Sequence, residues 1–168
     1  MKTFQTYRLK PNPAGKDRSR SGATPSQLAA EWADLRNTGP AAVALRGVTL
    51  KHVAYKPGAT QGHWEPVFTF GQGVLNPGQV VRIHAGQART GVILPADLAG
   101  ADYHLFTGED RYVWNNDRGD CSSLWESGQT GPYDSACYPA APPEGVVLVR
   151  SGNSLVVPAG NYVAAGRR

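Results

Sequence analysis

The sequence has 168 residues and a net charge of +4, with 20 glycines and 13 prolines spread along its length. A chain of this length fits one domain and can bury about 70% of the surface that its unfolded form exposes. Glycines and prolines at such frequent intervals exclude long helices and favour many short strands. The first ten residues lack the apolar core of a classical signal peptide, and no stretch approaches the ~20 apolar residues of a membrane span, so we expect neither feature.

The positive charge is concentrated at the two ends. Residues 1–20 carry six Lys or Arg against one acid, residues 21–149 carry eight against twelve, and residues 150–168 carry three against none. Basic ends can contact nucleic acid, an anionic surface or an acidic protein face, although so small an excess is more often found on solvated termini. The candidate contacts to an anionic partner are Lys10, Lys16, Arg18 and Arg20. Without a continuous basic stripe or a recognition motif, nucleic acid is not the favoured partner.

In chain order, residues 3–9 are rich in β-formers and are followed by Pro11 and Pro13, which predicts a first strand and then a polar loop over residues 10–22. Residues 26–32 can form one helical turn, with Ser26 as a weak cap. A turn at residues 37–40 leads to apolar alternation on either side of Gly47.

The middle of the chain predicts short strands separated by turns. The loop at residues 56–62 is flanked by Tyr55 and Trp64, which are candidate partner-facing aromatics, although such residues more often cover the edge of a core. Strands are expected at residues 67–70, 74–75 and 80–84, with a type II turn at Pro77 and Gly78. Residues 85–100 are expected to form a less regular crossover.

Residues 112–138 predict two chain reversals that join three strands, at residues 113–114, 121–125 and 133–138. A hairpin centred on Gln129 places Cys121 opposite Cys137 and Trp125 opposite Tyr133. Reduced, buried thiols are the simpler interpretation of the two cysteines. A cross-strand disulfide between Cys121 and Cys137 stays open, because strand pairing does not by itself ensure bridging geometry.

This segment resembles the signature hairpin of the lamin-tail domain, an immunoglobulin-like β-sandwich found in nuclear lamins and in bacterial proteins. The matching residues are Trp114, Asn115, Asn116, Gly119 and Asp120, followed by Asp134, Ser135 and Tyr138. The upstream matches include Glu31, Trp32 and Asn37. The resemblance covers roughly residues 4–138 and implies structural roles for these residues. It would also run residues 31–36 into a strand, with Ala33 and Leu35 on one face and Trp32, Asp34 and Arg36 on the other.

The expected fold is therefore all-β, an immunoglobulin-like β-sandwich of the lamin-tail type with an added C-terminal β-hairpin. Residues 1–138 would form the sandwich, residues 139–145 a Pro-rich linker, and residues 146–168 a hairpin appendage. The run at residues 146–149 is apolar on both faces, so it must be covered by its own domain or by another chain. The candidate self-association residues are Val146, Val147, Leu148, Val149, Leu155 and Val157.

The sequence contains no motif of a known catalytic or phosphate-binding site. Its four histidines lie singly, and their spacing suggests no shared metal. The acidic residues Glu109, Asp110, Asp117 and Asp120 leave a bound cation open, although turn chemistry explains them more simply. We therefore expect no enzyme activity, no cofactor and no metal site.

These observations favour a non-catalytic structural or protein-interaction module, a subunit of a larger assembly. One alternative is a module that binds nucleic acid or an anionic surface through the basic termini. Another is a carbohydrate or cell-wall binding domain that uses exposed aromatics such as Trp64 and Trp125. Partner and oligomeric state stay open, and the compartment could be the cytoplasm or an exported or particle-associated assembly.

Overall fold

The computed structural model describes residues 2–15 and 22–161. The described part of the chain is nearly all β, with 37% of its residues in strands and 7% in helices, and one large sheet curls into a near barrel. The sequence prediction of an all-β, sandwich-like fold is confirmed. No helix in the described ranges is long and apolar enough to cross a membrane.

Twelve strands and two short α-helices are found among the described residues. The strands are β1 (Phe4–Lys10), β2 (Trp32–Asn37), β3 (Val43–Ala44), β4 (Thr49–Ala54), β5 (His63–Thr69), β6 (Val74–Leu75), β7 (Val80–His84), β8 (Tyr103–Phe106), β9 (Asp120–Trp125), β10 (Asp134–Tyr138), β11 (Leu148–Ser151) and β12 (Ser154–Val156). The helices are α1 (Pro25–Ala29) and α2 (Pro95–Leu98), and a 3-10 turn spans Ala159–Asn161.

Ten of these strands form one sheet in the order β5-β4-β9-β10-β12-β11-β1-β2-β7-β8, and β3 pairs with β6 in a separate two-stranded sheet. Neighbours are antiparallel except for β7 with β8 and β10 with β12, which are parallel. The outer strands of the large sheet are therefore β5 and β8. These two edges differ in sequence, with HWEPVFT in β5 and YHLF in β8.

One contiguous core fills the curled sheet. It includes Phe4, Leu35, Leu50 and Leu124, each with at most 2% of its surface exposed. Phe4 packs edge-on against Phe70, with ring centroids 5.6 Å apart. Alternate residues of each strand point to the same face of the sheet, so apolar residues at every second position lie together on the inner face.

The chain forms both the helical turn that was expected within residues 26–32 and the strand that the resemblance would run through residues 31–36. Helix α1 begins after Thr24 rather than at Ser26, because the Thr24 hydroxyl accepts from the Gln27 N–H and the Gln27 side chain accepts from the Thr24 N–H. This reciprocal capping box satisfies two donors that would otherwise lack partners. Strand β2 then starts at Trp32.

Two strands, not three, form the hairpin region of residues 112–138. The predicted register is confirmed where Cys121 pairs with Cys137, and the ladder ends at Leu124 and Asp134, one step before Trp125 and Tyr133. Residues 113–114 are not a strand. The reason is that the Val113 N–H donates to the buried Glu31 carboxylate, 2.6 Å away, instead of joining a ladder.

The C-terminal hairpin is not an appendage. Strand β11 pairs with β1, and β12 pairs with β10, so the hairpin joins the two halves of the large sheet. Leu148 and Leu155 are buried in the core at 2% and 1% exposure. Residues 139–145 are thus a crossover within one domain, held where the Asn12 side chain donates to the Pro142 carbonyl, 2.9 Å away.

This placement also corrects the predicted self-association strands. Both backbone edges of the β11–β12 hairpin are paired within the chain, so neither is free to bind a second copy. Val146 and Val157 pack against the same core, and Val149 pairs with Val156 across the hairpin. Val147 lies just before β11. The apolar run at residues 146–149 is therefore covered by its own domain.

Candidate functional site

A row of charged and aromatic residues crosses β1, β2 and β7 on the face opposite the core. We call this the charged face, and it comprises Arg8, Trp32, Asp34, Arg36, Arg82 and His84. The register sets Asp34 opposite both Arg8 and Arg82, and Trp32 opposite His84. Intervening residues such as Ala33 and Leu35 point into the core, as the resemblance implied.

Asp34 is the centre of the charged face and is fully buried. Its carboxylate accepts two hydrogen bonds from Arg82, at 2.6 and 2.8 Å, and one from Arg8 Nε at 3.0 Å. The Arg82 guanidinium also stacks 3.6 Å above the Trp32 ring. One carboxylate therefore faces two guanidinium groups, which leaves this part of the face positive.

The crossover of residues 85–102 covers part of the charged face. Arg82 Nη1 donates to the Asp97 and Ala99 carbonyls at 2.8 and 2.9 Å. The buried Asp97 carboxylate accepts from Trp32 Nε1 at 2.9 Å and from Lys10 Nζ at 2.6 Å. Lys10, a predicted contact to an anionic partner, therefore forms an ion pair within the fold, and only 14% of its side chain is exposed. The other three predicted contacts, Lys16, Arg18 and Arg20, lie outside the described residues.

Two histidines meet at the covered end of the face. His84 Nδ1 lies 2.6 Å from the Ala29 carbonyl, and His84 Nε2 lies 2.8 Å from His104 Nδ1. Because a carbonyl only accepts, His84 carries its proton on Nδ1 and its Nε2 accepts from His104. Burial is the main cause that lowers the pKa of His84, to about 4, and it lowers the pKa of His104 as well. The sequence spacing gave no sign of this pair, because it depends on the parallel pairing of β7 with β8.

The uncovered end of the charged face opens as a cavity of about 420 Å³. Tyr7, Arg8 and Arg36 line it together with Gly78, Val80 and residues 100–102. The Arg8 and Arg36 guanidinium groups lie 4.8 and 5.0 Å from the centre of the same Tyr7 ring. Two cations and an aromatic ring thus converge on open space.

Exposed apolar residues concentrate at the β8 edge of the sheet. We define the β8 edge as Tyr103 to Phe106 with the neighbouring Val74. Tyr103, Leu105 and Val74 are 48%, 37% and 58% exposed, and they border an apolar cavity of about 330 Å³. No strand among the described residues pairs with the outer side of β8.

The residues that match the lamin-tail signature fix loops to the sheet. Asp120 is buried and accepts from the N–H groups of Val53, Asn115 and Cys121 at 2.7 to 3.0 Å. The Asn115 side chain donates to the Val53 carbonyl at 2.6 Å, and the Tyr138 hydroxyl donates to the Asn115 carbonyl at 2.8 Å.

The remaining signature residues act in the same way. Asn116 donates to the Asn12 side chain at 3.2 Å, and Trp114 packs edge-on against His52. At Gly119 a Cβ would come within 2.6 Å of the Tyr138 carbonyl, so only glycine fits. Asn37, which ends β2, donates to the Ala41 and Leu75 carbonyls. These contacts position backbone and bring no nucleophile to a base.

His52 links the signature loop to the β5 edge. Its Nδ1 lies 3.0 Å from Asp120, and its Nε2 lies 3.4 Å from Glu65. Burial lowers the pKa of His52, but the hydrogen bonds and charges of Asp120 and Glu65 outweigh it, so the pKa is raised. In the described ranges, no group of three or more His, Cys, Asp or Glu side chains is placed to hold a metal ion.

The acidic residues considered for a bound cation do not share one environment, and Trp125, considered for a carbohydrate, is covered. Glu109 pairs with Arg111 on the surface, whereas Asp120 is buried. Trp125 is 7% exposed beneath Lys51, so it offers no open stacking platform for a sugar.

Tyr55 directly follows β4, and Trp64 lies on β5, which pairs with β4. Tyr55 packs under Arg118, and Trp64 is 37% exposed and packs edge-on against Trp125, with ring centroids 5.8 Å apart. Both aromatics thus cover neighbouring side chains.

The structure joins Cys121 and Cys137 by a disulfide, with the two Cα atoms 4.0 Å apart. The bridge connects β9 and β10 at a directly opposed pair.

No protein-family model and no curated protein matches the chain.

Proposed function

We propose that the protein is a non-catalytic protein-interaction module of the lamin-tail type, and that it binds an extended segment of a partner along the β8 edge. The signature contacts of Asp120, Asn115 and Tyr138 support the lamin-tail assignment, since they tie the loops to the sheet as the resemblance implies. A rigid sandwich of this kind suits a subunit of a larger assembly.

The contrast between the two outer strands carries the proposal. Strand β5 contains Glu65 and Pro66, and its pairing with β4 is interrupted by a bulge at Leu50 and Lys51. Charge, proline and bulges are the features by which proteins protect an exposed edge from pairing. Strand β8 has the sequence YHLF and none of these features.

The side chains of β8 suit an added strand. Tyr103 and Leu105 share one face and are exposed, and the apolar cavity beside them can receive alternate side chains of a bound segment. In such complexes backbone hydrogen bonds supply affinity and the pockets supply specificity. The partner is therefore expected to be an extended segment with apolar residues at every second position.

A peptide-display selection on the purified protein tests this proposal, followed by NMR mapping of the selected peptides. We expect alternating apolar peptides whose binding shifts the amide signals of residues 103–106. Leu105→Lys should weaken this binding by at least about tenfold, since a charge on the edge opposes strand addition.

Val156→Lys is the matched control, because Val156 is exposed to the same degree, at 38%, on a strand that is paired within the sheet. It should leave peptide binding unchanged. Peptides that bind Leu105→Lys as tightly as the unmodified protein, or whose shifts lie away from β8, would contradict the proposal.

A further inference from the structure

Arg36 lacks the partners that the other two arginines of the charged face have. Arg8 and Arg82 both donate to Asp34. The Nε atom of Arg36 is buried and makes no hydrogen bond, and no ion pair to Arg36 is found among the described residues. A guanidinium is always charged, and no carboxylate of the described residues pairs with Arg36, so the part of its guanidinium that lines the cavity is suited to an acceptor from outside the chain.

The surroundings hold this guanidinium in place and leave space in front of it. The Tyr7 ring lies beside both Arg8 and Arg36, which restrains two side chains that are otherwise flexible. Gly100 keeps the cavity open, because a Cβ there would come within 3.0 Å of Arg8 Nη2. Gly100 has a φ of +89, which side-chain-bearing residues rarely adopt.

The charges around the cavity favour an anion of low charge. Arg8, Arg36 and Arg82 contribute three positive charges, and Asp34 and Asp102 contribute two negative ones. Asp102 lines the cavity and accepts from the Val80 N–H at 2.8 Å. Its carboxylate would repel a dianionic phosphate more strongly than a singly charged carboxylate.

We infer that the cavity lined by Tyr7, Arg8 and Arg36 recognises a carboxylate group of a protein partner. The two Nη groups of Arg36 present parallel donors that can bind both oxygens of a carboxylate. This inference rests on the proposed function only in that the carboxylate comes from a protein partner. It would be an acidic side chain or a chain end of that partner. Arg36 acts as the specific donor, and Arg8 adds charge from the other side of the Tyr7 ring.

NMR titration at constant ionic strength tests this inference on the whole protein, with the Arg36 Nε–H signal as the readout. The probes are N-acetylglutamate α-amide, which presents a side-chain carboxylate, N-acetylglycine, which presents a chain end, and inorganic phosphate. We expect saturable shifts of the Arg36 signal with at least one carboxylate, and weaker binding of phosphate. The tighter of the two carboxylates identifies the source.

Arg36→Lys keeps the charge and removes the paired donors, so it should weaken carboxylate binding by about tenfold. Arg46→Gln, at an exposed arginine elsewhere, lowers the net charge and should leave binding unchanged. Equal binding by Arg36→Lys, an equal loss in Arg46→Gln, tighter binding of phosphate, or no saturable shift would each overturn the inference. None of these results depends on β8, so the Leu105→Lys experiment separately decides the proposed function.

Discussion

Buried carboxylates connect separate segments of this chain through hydrogen bonds. Glu31 accepts from the Val113 N–H, and Asp134 accepts from the Thr6 N–H at 2.9 Å and from Arg150 at 2.7 Å. Each contact joins residues that are far apart in the chain, so each carboxylate satisfies backbone donors that no strand partner reaches. A buried carboxylate is stable in such a place because charged hydrogen bonds compensate for its lost hydration.

His84 makes the stability of the fold sensitive to acid. Burial lowers its pKa to about 4, and the charges of His104 and Arg82 act in the same direction, whereas Asp97 opposes them. Above pH 6.5 the ring is neutral in both the folded and the unfolded state. As the pH falls from 6.5 towards 4, the unfolded state takes up a proton that the folded state does not, so the free energy of unfolding decreases.

We predict that the stability advantage of the unmodified protein over His84→Gln shrinks by roughly 2–3 kcal/mol between pH 7 and pH 4.5, at 1.36 kcal/mol for each pKa unit. Urea unfolding of both proteins at several pH values measures this difference in the free energy of unfolding. The comparison with the variant is needed because His52, whose pKa is raised, stabilises the fold more at low pH and acts in the opposite direction. His63→Gln, at an exposed histidine, is the control. A difference that stays constant with pH would contradict the prediction.

At the scale of elements, local turn chemistry was predictable from the sequence and distant pairing was not. The glycines, Asn and Asp of residues 115–131 gave the reversal and the Cys121–Cys137 register, because a hairpin is set by its own turn. The parallel pairs β7 with β8 and β10 with β12 join strands through long connections. No local pattern specifies such pairs, which is why the hairpin of β11 and β12 was expected outside the domain.

The disulfide between β9 and β10 should stabilise the fold without being needed to form it. The two cysteines are 16 residues apart, and closing a loop of that size restricts the unfolded chain by about 3 kcal/mol in the chain-entropy account. Backbone pairs on both sides of β10 remain when the bridge is lost. Replacing Cys121 and Cys137 together by Ala should therefore lower the free energy of unfolding by about 2–4 kcal/mol.

Urea unfolding with a thiol count before and after reduction checks this expectation. The unmodified protein in a reducing agent is the control, and it should lose about as much stability as the double variant. Loss of the cooperative transition in the double variant would show that the bridge is required for folding. An unchanged transition would show that it contributes nothing.

At the scale of the whole molecule, the resemblance placed the charged residues on the correct face but did not give their environment. It set Trp32, Asp34 and Arg36 on the face opposite Ala33 and Leu35, which is the face away from the core. The crossover then covers Trp32 and Asp34, with 2% and 0% exposure, and leaves Arg36 at its margin. Which end of the face stays open depends on where Asp97 and Ala99 bind Arg82, and a crossover whose regular structure is the four-residue helix α2 carries no pattern for that contact.

The C-terminal hairpin should be required for the whole fold, because it joins β10 to β1. We predict that a chain truncated after Tyr138 has no cooperative unfolding transition, since both of those strands lose a neighbour and the core loses Leu148 and Leu155. A milder test is Leu155→Ala, which should cost about 2–5 kcal/mol for a buried leucine.

Circular dichroism with urea unfolding measures both changes. Val156→Ala is the matched control. Val156 is the next residue and its side chain is exposed, so its truncation should lower the free energy of unfolding far less than Leu155→Ala does. A truncated chain that unfolds cooperatively, with the stability of the full one, would mean that residues 1–138 fold alone and that the hairpin is dispensable. The expected loss follows from topology, because removal of two central strands separates the β5–β10 half of the sheet from the β1–β8 half.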